Sequence, residues 1–131
     1  MHIVLIVSDP AAQASLGAFL QSVGCEVQTA ATGDDGVQCI EQQPPDVVVV
    51  QSNLPDRMSG PEVTAWMHTH PTLSHVPAIL AVRSFNELRP GTQAAAIIFD
   101  PIQREALARA LLPFANSDVA ARLSEFAKGT T

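Results

Sequence analysis

The sequence contains no long apolar run and few basic residues. Its longest unbroken apolar stretch spans residues 94–99, whereas a membrane-spanning helix needs roughly 18 or more apolar residues. Seven Lys and Arg residues against 13 Asp and Glu residues give a formal net charge of -6, so the chain lacks the positive charge that attracts nucleic acid or anionic lipid. We predict neither a membrane-spanning protein nor direct binding to nucleic acid.

Cysteine is also scarce. The chain has two cysteines, Cys25 and Cys39, and their spacing fits neither a disulfide framework nor a structural zinc site. The first residues carry no basic leader before their apolar run and reach Asp9 at once, unlike a secretory signal. We therefore expect a reduced, cytoplasmic compartment and no metal or other cofactor.

Three histidines, His68, His70 and His75, lie close together in the chain. No cysteine or carboxylate accompanies them, and they lack the fixed helical spacing of a metal site. The segment is predicted to be a solvated loop.

The sequence does contain an apolar core for one domain. Of its 131 residues, 47% are hydrophobic and 15% are charged, which fits one compact domain. Short apolar runs predict five strands, at residues 3–7, 25–29, 47–50, 76–82 and 97–99.

Helix signals separate these runs. Asp9 before Pro10, Thr32, and the pair Ser59 and Glu62 are typical of helix N-termini. Strands that alternate with helices imply right-handed crossovers and a parallel sheet. We predict an α/β fold, a doubly wound five-stranded parallel sheet with helices on both faces.

In such a sheet, ligands bind beyond the carboxyl ends of the strands. The residues that follow those ends are Ser8, Asp9, Gln51, Val82, Arg83 and Asp100. They are the candidate site residues, and Arg83 is the nearest basic candidate to form an ion pair with Asp100.

Four segments, in their order and spacing, resemble the receiver domain of a two-component response regulator over residues 2–112. The segments are residues 4–9, residues 46–55 with Gly60, residues 76–80, and Asp100 with Pro101. The resemblance implies a flavodoxin-like fold and a cis peptide bond before Pro101. Receivers accept a phosphoryl group from a histidine kinase on an aspartate at the end of the third strand. A Mg²⁺ ion, a lysine and a hydroxyl group assist this transfer.

The residues at the corresponding positions break this pattern. Gln51 replaces the phosphoacceptor aspartate, and a neutral amide cannot act as that nucleophile. The metal-holding pair of acids is reduced to Ser8 and Asp9. Val82 replaces the hydroxyl residue, and Asp100 replaces the lysine.

Further differences concern the family's interaction face. Ile97 stands where receivers usually carry an aromatic switch residue on the fifth strand. Ser84 and Glu87 have capping-box spacing, but Pro90 and Gly91 follow, so the fourth helix is predicted to be only about a turn long. In the family this helix, the fifth strand and the fifth helix form the face that dimerises or binds partners. We expect an altered interface there.

Residues 116–131 are predicted to be a C-terminal extension beyond the receiver-like residues 1–115. Ser117 can cap an extra helix with Val119, Leu123 and Phe126 along one apolar side and Gly129 as its stop. The extension can pack on the body, mediate self-association or lead to an output domain, and the sequence does not choose among these.

The expected function is that of an atypical bacterial receiver, or pseudo-receiver, in two-component or phosphorelay signalling. It is expected not to be an enzyme and to act through phosphorylation-independent contacts with a protein partner or a second copy. One alternative is a sensor module whose altered pocket binds a small ligand, or weakly binds a cation between Asp9 and Asp100. The other is a flavodoxin-like enzyme, which is disfavoured because no glycine follows the first strand to cradle a phosphate.

Overall fold

The computed structural model describes residues 1–54, 58–88 and 94–128. Strands and helices alternate as β1 His2–Ile6, α1 Pro10–Ser22, β2 Glu26–Ala30, α2 Gly33–Gln42, β3 Val47–Gln51, α3 Gly60–Thr69, β4 Ala78–Val82, β5 Ala96–Phe99, α4 Arg104–Leu111 and α5 Ser117–Lys128. One-turn 3-10 segments lie at Phe85–Glu87 and Leu112–Phe114. In these ranges, no helix has the length and apolar character needed to cross a membrane.

The five strands form one parallel sheet in the order β2-β1-β3-β4-β5. After β1, the chain adds β2 at one edge of the sheet. It then adds β3, β4 and β5 in order on the other side of β1. This confirms the predicted doubly wound α/β fold, with strand bounds shifted by one or two residues.

The two faces of the sheet carry separate cores, because alternate strand residues point to opposite sides. On the first face, Leu5 and Val49 pack beneath α1, α4 and α5. On the second face, Ile6 and Val50 pack beneath α2 and α3. All four of these side chains are fully buried.

Side-chain caps fix where the first three helices begin. The Oδ1 atom of Asp9 accepts from the backbone N–H of Ala11 at 3.2 Å, and Thr32 caps α2. Ser59 and Glu62 form a reciprocal capping box at α3. These three predicted helix starts are confirmed.

The cap of α5 differs from the prediction. The Oδ1 atom of Asn116 accepts from the N–H of Val119 at 2.9 Å, so Asn116 caps the helix and the predicted cap at Ser117 is wrong by one residue. Val119 and Leu123 are buried in the first-face core, and the extension thus packs on the body. The Phe126 side chain and the predicted stop at Gly129 lie outside the described residues.

The connection between β4 and β5 contains one 3-10 turn, Phe85–Glu87, among the residues described there. As far as the connection is described, this agrees with the prediction that the family's fourth helix, between β4 and β5, is reduced to about one turn. The Glu87 carboxylate accepts from the N–H of Arg83 at 2.6 Å and not from Ser84, so the predicted second capping box is wrong. Pro90 and Gly91 lie outside the described residues.

Candidate functional site

The carboxyl ends of β1, β3 and β5 meet at a cleft between α1 and the start of α4. Its volume is about 450 Å³, and it is lined by Ser8, Asp9, Gln51, Arg83 and Asp100, among others. The structure thus brings together five of the six candidate residues. We call this site the carboxyl-edge cleft.

Val82 does not line the cleft, contrary to the prediction. It is the last residue of β4 and is fully buried in the second-face core beside Leu80. The sequence of β4 is apolar throughout, as is typical of a strand buried on both faces. It therefore carries no alternation from which the direction of the Val82 side chain is predictable.

Gln51 is the buried centre of the cleft. It ends β3, and its side chain is only 8% exposed. The Oε1 atom accepts from the backbone N–H of Ser8 at 2.9 Å and from the Ser8 hydroxyl at 3.2 Å. The Nε2 atom donates to Oδ2 of Asp100 at 3.2 Å. From the end of β3, one amide thus connects the residues that follow β1 and β5.

The partners of Gln51 fix the orientation of its amide. A backbone N–H can only donate, and a carboxylate accepts. The amide oxygen must therefore face Ser8, and the amide nitrogen must face Asp100. An ionised aspartate at position 51 has no hydrogen to donate to Asp100, so the bridge depends on an amide.

Gly60 holds the backbone at this end of β3. Its N–H donates to the carbonyl of Ser52 at 2.9 Å. A Cβ atom at position 60 would overlap the backbone oxygen of Gln51, so the close approach of α3 to β3 requires glycine. The start of α3 thereby helps to position Gln51.

Asp100 takes Gln51 as its partner. The Arg83 side chain lines the same cleft, but within the described part of the chain no ion pair joins Arg83 to Asp100. The predicted ion pair is therefore wrong: the observed partner of Asp100 is the amide of Gln51. The peptide bond between Asp100 and Pro101 is cis, as the resemblance implied.

The Mg²⁺ ion that the resemblance implies does not fit these residues. Mg²⁺ binds oxygen ligands in near-octahedral geometry. The oxygen of Gln51 already accepts two hydrogen bonds from Ser8, and Asp9 uses one carboxylate oxygen to cap α1. Across residues 1–54, 58–88 and 94–128, no group of three or more His, Cys, Asp or Glu side chains is placed to hold a metal.

The three histidines do not form a site of their own. His68 and His75 are exposed, and Nδ1 of His68 lies 3.0 Å from the backbone oxygen of Thr64. The ring of His70 packs against Trp66, with 4.6 Å between the ring centroids. Each of these contacts belongs to the local structure of α3 and its end.

Four polar residues that line the cleft are absent from the predicted set: Ser15, Gln103, Arg104 and Glu105. Gln103 precedes α4 and makes no side-chain cap hydrogen bond. The signal that was available is the position of Asp100 and Pro101 just before the last predicted helix. A helix that begins beyond the carboxyl end of a strand presents its first turn at that edge of the sheet.

A second surface lies next to the cleft, on β5. Ile97 is 36% exposed and Phe99 is 47% exposed, whereas Ile98 between them is 5% exposed. The two exposed side chains lie on the second face, where the described part of the β4–β5 connection has a 3-10 turn in place of a helix. We call Ile97 and Phe99 the β5 patch.

The chain matches the model of a known protein family. Residues 3–111 match the family model of the response regulator receiver domain. Protein Rrf1 of Nitratidesulfovibrio vulgaris strain Hildenborough is 33% identical over 79 residues, which cover 60% of this chain and 56% of Rrf1. The chain therefore matches just over half the length of that relative.

Solved structures agree in fold. The receiver domain of the sensor histidine kinase PA1611 from Pseudomonas aeruginosa PAO1, solved with a magnesium ion in its active-site cleft, gives a TM-score of 0.77 at 24% identity, covering 86% of this chain and 95% of that one. A CheY-like receiver domain from Methylobacillus flagellatus gives 0.79 at 18% identity, covering 88% and 98%.

The family model covers most of the chain, from the second residue of β1 to the last residue of α4. The sheet order and the cis bond before Pro101 agree with it. The chain belongs to the response regulator receiver domain family of two-component signalling proteins.

Proposed function

We propose that this chain is a pseudo-receiver, which takes part in signal transduction without accepting a phosphoryl group. It acts through contacts with a protein partner or a second copy of itself, is not an enzyme, and needs no cofactor. Because the relatives it matches are bacterial, we extend to it a place in the bacterial cytoplasm. The observation that carries the proposal is the buried Gln51 amide bonded to Ser8 and Asp100.

Gln51 lacks the charged oxygen of a phosphoacceptor nucleophile. A carboxylate attacks phosphorus through a charged oxygen and forms an acyl phosphate. The side-chain oxygen of Gln51 is neutral and already accepts two hydrogen bonds from Ser8. It has neither the charge nor a free lone pair directed into the cleft.

The carboxylate of Asp100 makes the cleft unfavourable for a phosphoryl group. A transferring phosphoryl group carries negative charge on its oxygens, and enzymes stabilise that charge with metal ions and cations. In this cleft the carboxylate of Asp100 lies 3.2 Å from the Gln51 amide nitrogen. A phosphoryl group bound there would be repelled, because two negative charges would face each other across a hydrogen-bond distance.

The β5 patch offers a surface for contact with a partner. The β5 patch exposes large apolar side chains beside the cleft. Apolar groups exposed in a cluster are typical of interaction sites. Because Asp100 directly follows β5 and is tied to Gln51, the patch is attached to a fixed strand end.

The test is phosphorylation by a small phosphodonor with Mg²⁺, followed by intact mass. We expect no adduct on the native chain. The matched variant carries Ser8→Asp, Gln51→Asp, Val82→Thr and Asp100→Lys, and its labelling would show that these positions are the cause. A phosphoryl adduct on the folded native chain would overturn the proposal.

The contact surface is tested with Ile97→Lys. The mass of the native chain is followed by light scattering over a concentration series, alone and with candidate signalling partners. We expect Ile97→Lys to weaken the association about tenfold or more, because a charge replaces a buried apolar contact. Glu41→Lys, exposed on α2, is the control. Equal affinity of the native chain and the Ile97→Lys variant would exclude the β5 patch.

A further inference from the structure

The carboxyl-edge cleft has hydrogen-bonding groups that the protein itself does not use. The Nε2 atom of Gln51 carries two hydrogens and donates one to Asp100. The other meets no acceptor among the described residues, although the side chain is only 8% exposed. Because Gln51 also lines the cleft, this N–H is available to an acceptor that enters it.

Asp100 offers the complementary group. Its Oδ2 atom accepts from Gln51, while its Oδ1 atom accepts from no other described residue. An unused donor and an unused acceptor therefore stand next to each other at the base of the cleft. A ligand that satisfies both must carry an acceptor and a donor a short distance apart.

Charged side chains of both signs surround this pair. Arg83 and Arg104 line the cleft together with Asp9 and Glu105. Within the described part of the chain, neither guanidinium group forms an ion pair. A simple anion would meet the carboxylates, and a simple amine would meet the guanidinium groups, so a ligand with one charge meets repulsion in either case.

We propose that the carboxyl-edge cleft binds a small zwitterion that carries a carboxylate and an ammonium group, of which a free α-amino acid is the simplest kind. The carboxylate accepts from Gln51 Nε2 and from the arginines, and the ammonium group donates to Asp100 and Asp9. The volume of about 450 Å³ is ample for such a molecule. This inference rests on the proposed function, because the cleft is available to a ligand only when it does not serve phosphotransfer.

The experiment is a titration of the native chain with free amino acids, without phosphodonor, followed by backbone amide NMR and by thermal melting. At least one amino acid is expected to shift the amide signals of residues 8, 51 and 100 and to raise the melting temperature. Its decarboxylated amine and its deaminated acid each lack one charge. We expect them to bind at least about tenfold more weakly, since a charge-assisted hydrogen bond is lost.

Variants locate the site. Arg104→Gln and Asp100→Asn are expected to weaken binding about tenfold or more, and Arg122→Gln and Glu41→Gln, which lie outside the cleft, are expected to leave it unchanged. Circular dichroism confirms that each variant is folded. The proposal is overturned if no amino acid shifts these signals at millimolar concentration, or if the amine alone binds as well as the zwitterion. Either result leaves the absence of phosphorylation untouched, whereas a phosphoryl adduct would defeat the proposed function separately.

Discussion

The two faces of the sheet are covered to different extents. On the first face, three helices, α1, α4 and α5, enclose a core that includes Ile98 of β5, which is 5% exposed. On the second face, α2 and α3 cover the centre, but the neighbouring β5 residues Ile97 and Phe99 are 36% and 47% exposed. β5 is therefore buried on one side and partly exposed on the other.

The difference follows from what the chain adds and omits. The family match ends at residue 111, and the added helix α5 inserts Val119 and Leu123 into the first-face core. Between β4 and β5, by contrast, the described residues form a 3-10 turn. We infer that the first face provides stability and that the second face provides contact surface.

The largest expected effect compares a large apolar residue from each face. Leu123→Ala removes a fully buried side chain of α5 and should lower the free energy of unfolding by about 2–5 kcal/mol. Ile97→Ala removes a side chain that is already 36% exposed and should cost less than about 1 kcal/mol. Urea unfolding followed by circular dichroism measures both.

Equal losses for the two variants would show that the faces do not differ in this way. A native-like stability of the Leu123→Ala variant would show that α5 does not belong to the core. The slope of the unfolding free energy against urea concentration must stay constant, so that the comparison concerns stability and not a change in the unfolded state.

A smaller effect sharpens the role of α5. Asn116→Ala removes the side-chain oxygen that accepts from the N–H of Val119 and should cost about 1 kcal/mol. Ser117→Ala, one residue later, should stay within about 0.5 kcal/mol. The midpoint of thermal unfolding checks both, and the reverse order would restore Ser117 as the cap.

The fold was largely predictable because several local signals agreed. The apolar β-branched run at residues 47–50 gave β3, and Asp9, Thr32 and Ser59 marked three helix starts that the hydrogen bonds confirm. At Asn116 and Ser117, two good capping residues are adjacent, so the sequence pattern alone did not decide between them.

The position of the site was predictable from the sequence, but the hydrogen-bond partners within it were not. Strand ends placed Ser8, Gln51 and Asp100 at one edge of the sheet, and the cleft contains all three. Opposite charge predicts that Asp100 pairs with Arg83, whereas its observed partner is Gln51. An amide carries a donor and an acceptor at the end of a flexible side chain, and which neighbours it bridges depends on distances that only the folded chain sets.

The smallest expected effect concerns the cysteines, one beneath each face. Cys25 is buried in the first-face core, and Cys39 is half-buried beside the second-face core. The pKa of the Cys25 thiol is raised, chiefly by burial. The nearby N-terminal charge lowers this pKa, and the charge of Asp46 raises it. We expect a thiol reagent to modify Cys39 first in the folded protein and both cysteines equally in urea.

The raised pKa of Cys25 also predicts how stability depends on pH. When the pKa of a thiol is higher in the folded state than in the unfolded state, that difference contributes to the free energy of unfolding. The contribution is fully present below the ordinary thiol pKa of about 8.5. That contribution is lost as the pH rises from this value towards the raised pKa of the folded state, because the unfolded chain then gains by ionising. Cys25→Ala should flatten the fall in unfolding free energy between neutral and alkaline pH. If the Cys25→Ala variant keeps the native slope, the burial of Cys25 does not govern its ionisation, and the first face is more open at Cys25 than its packing indicates.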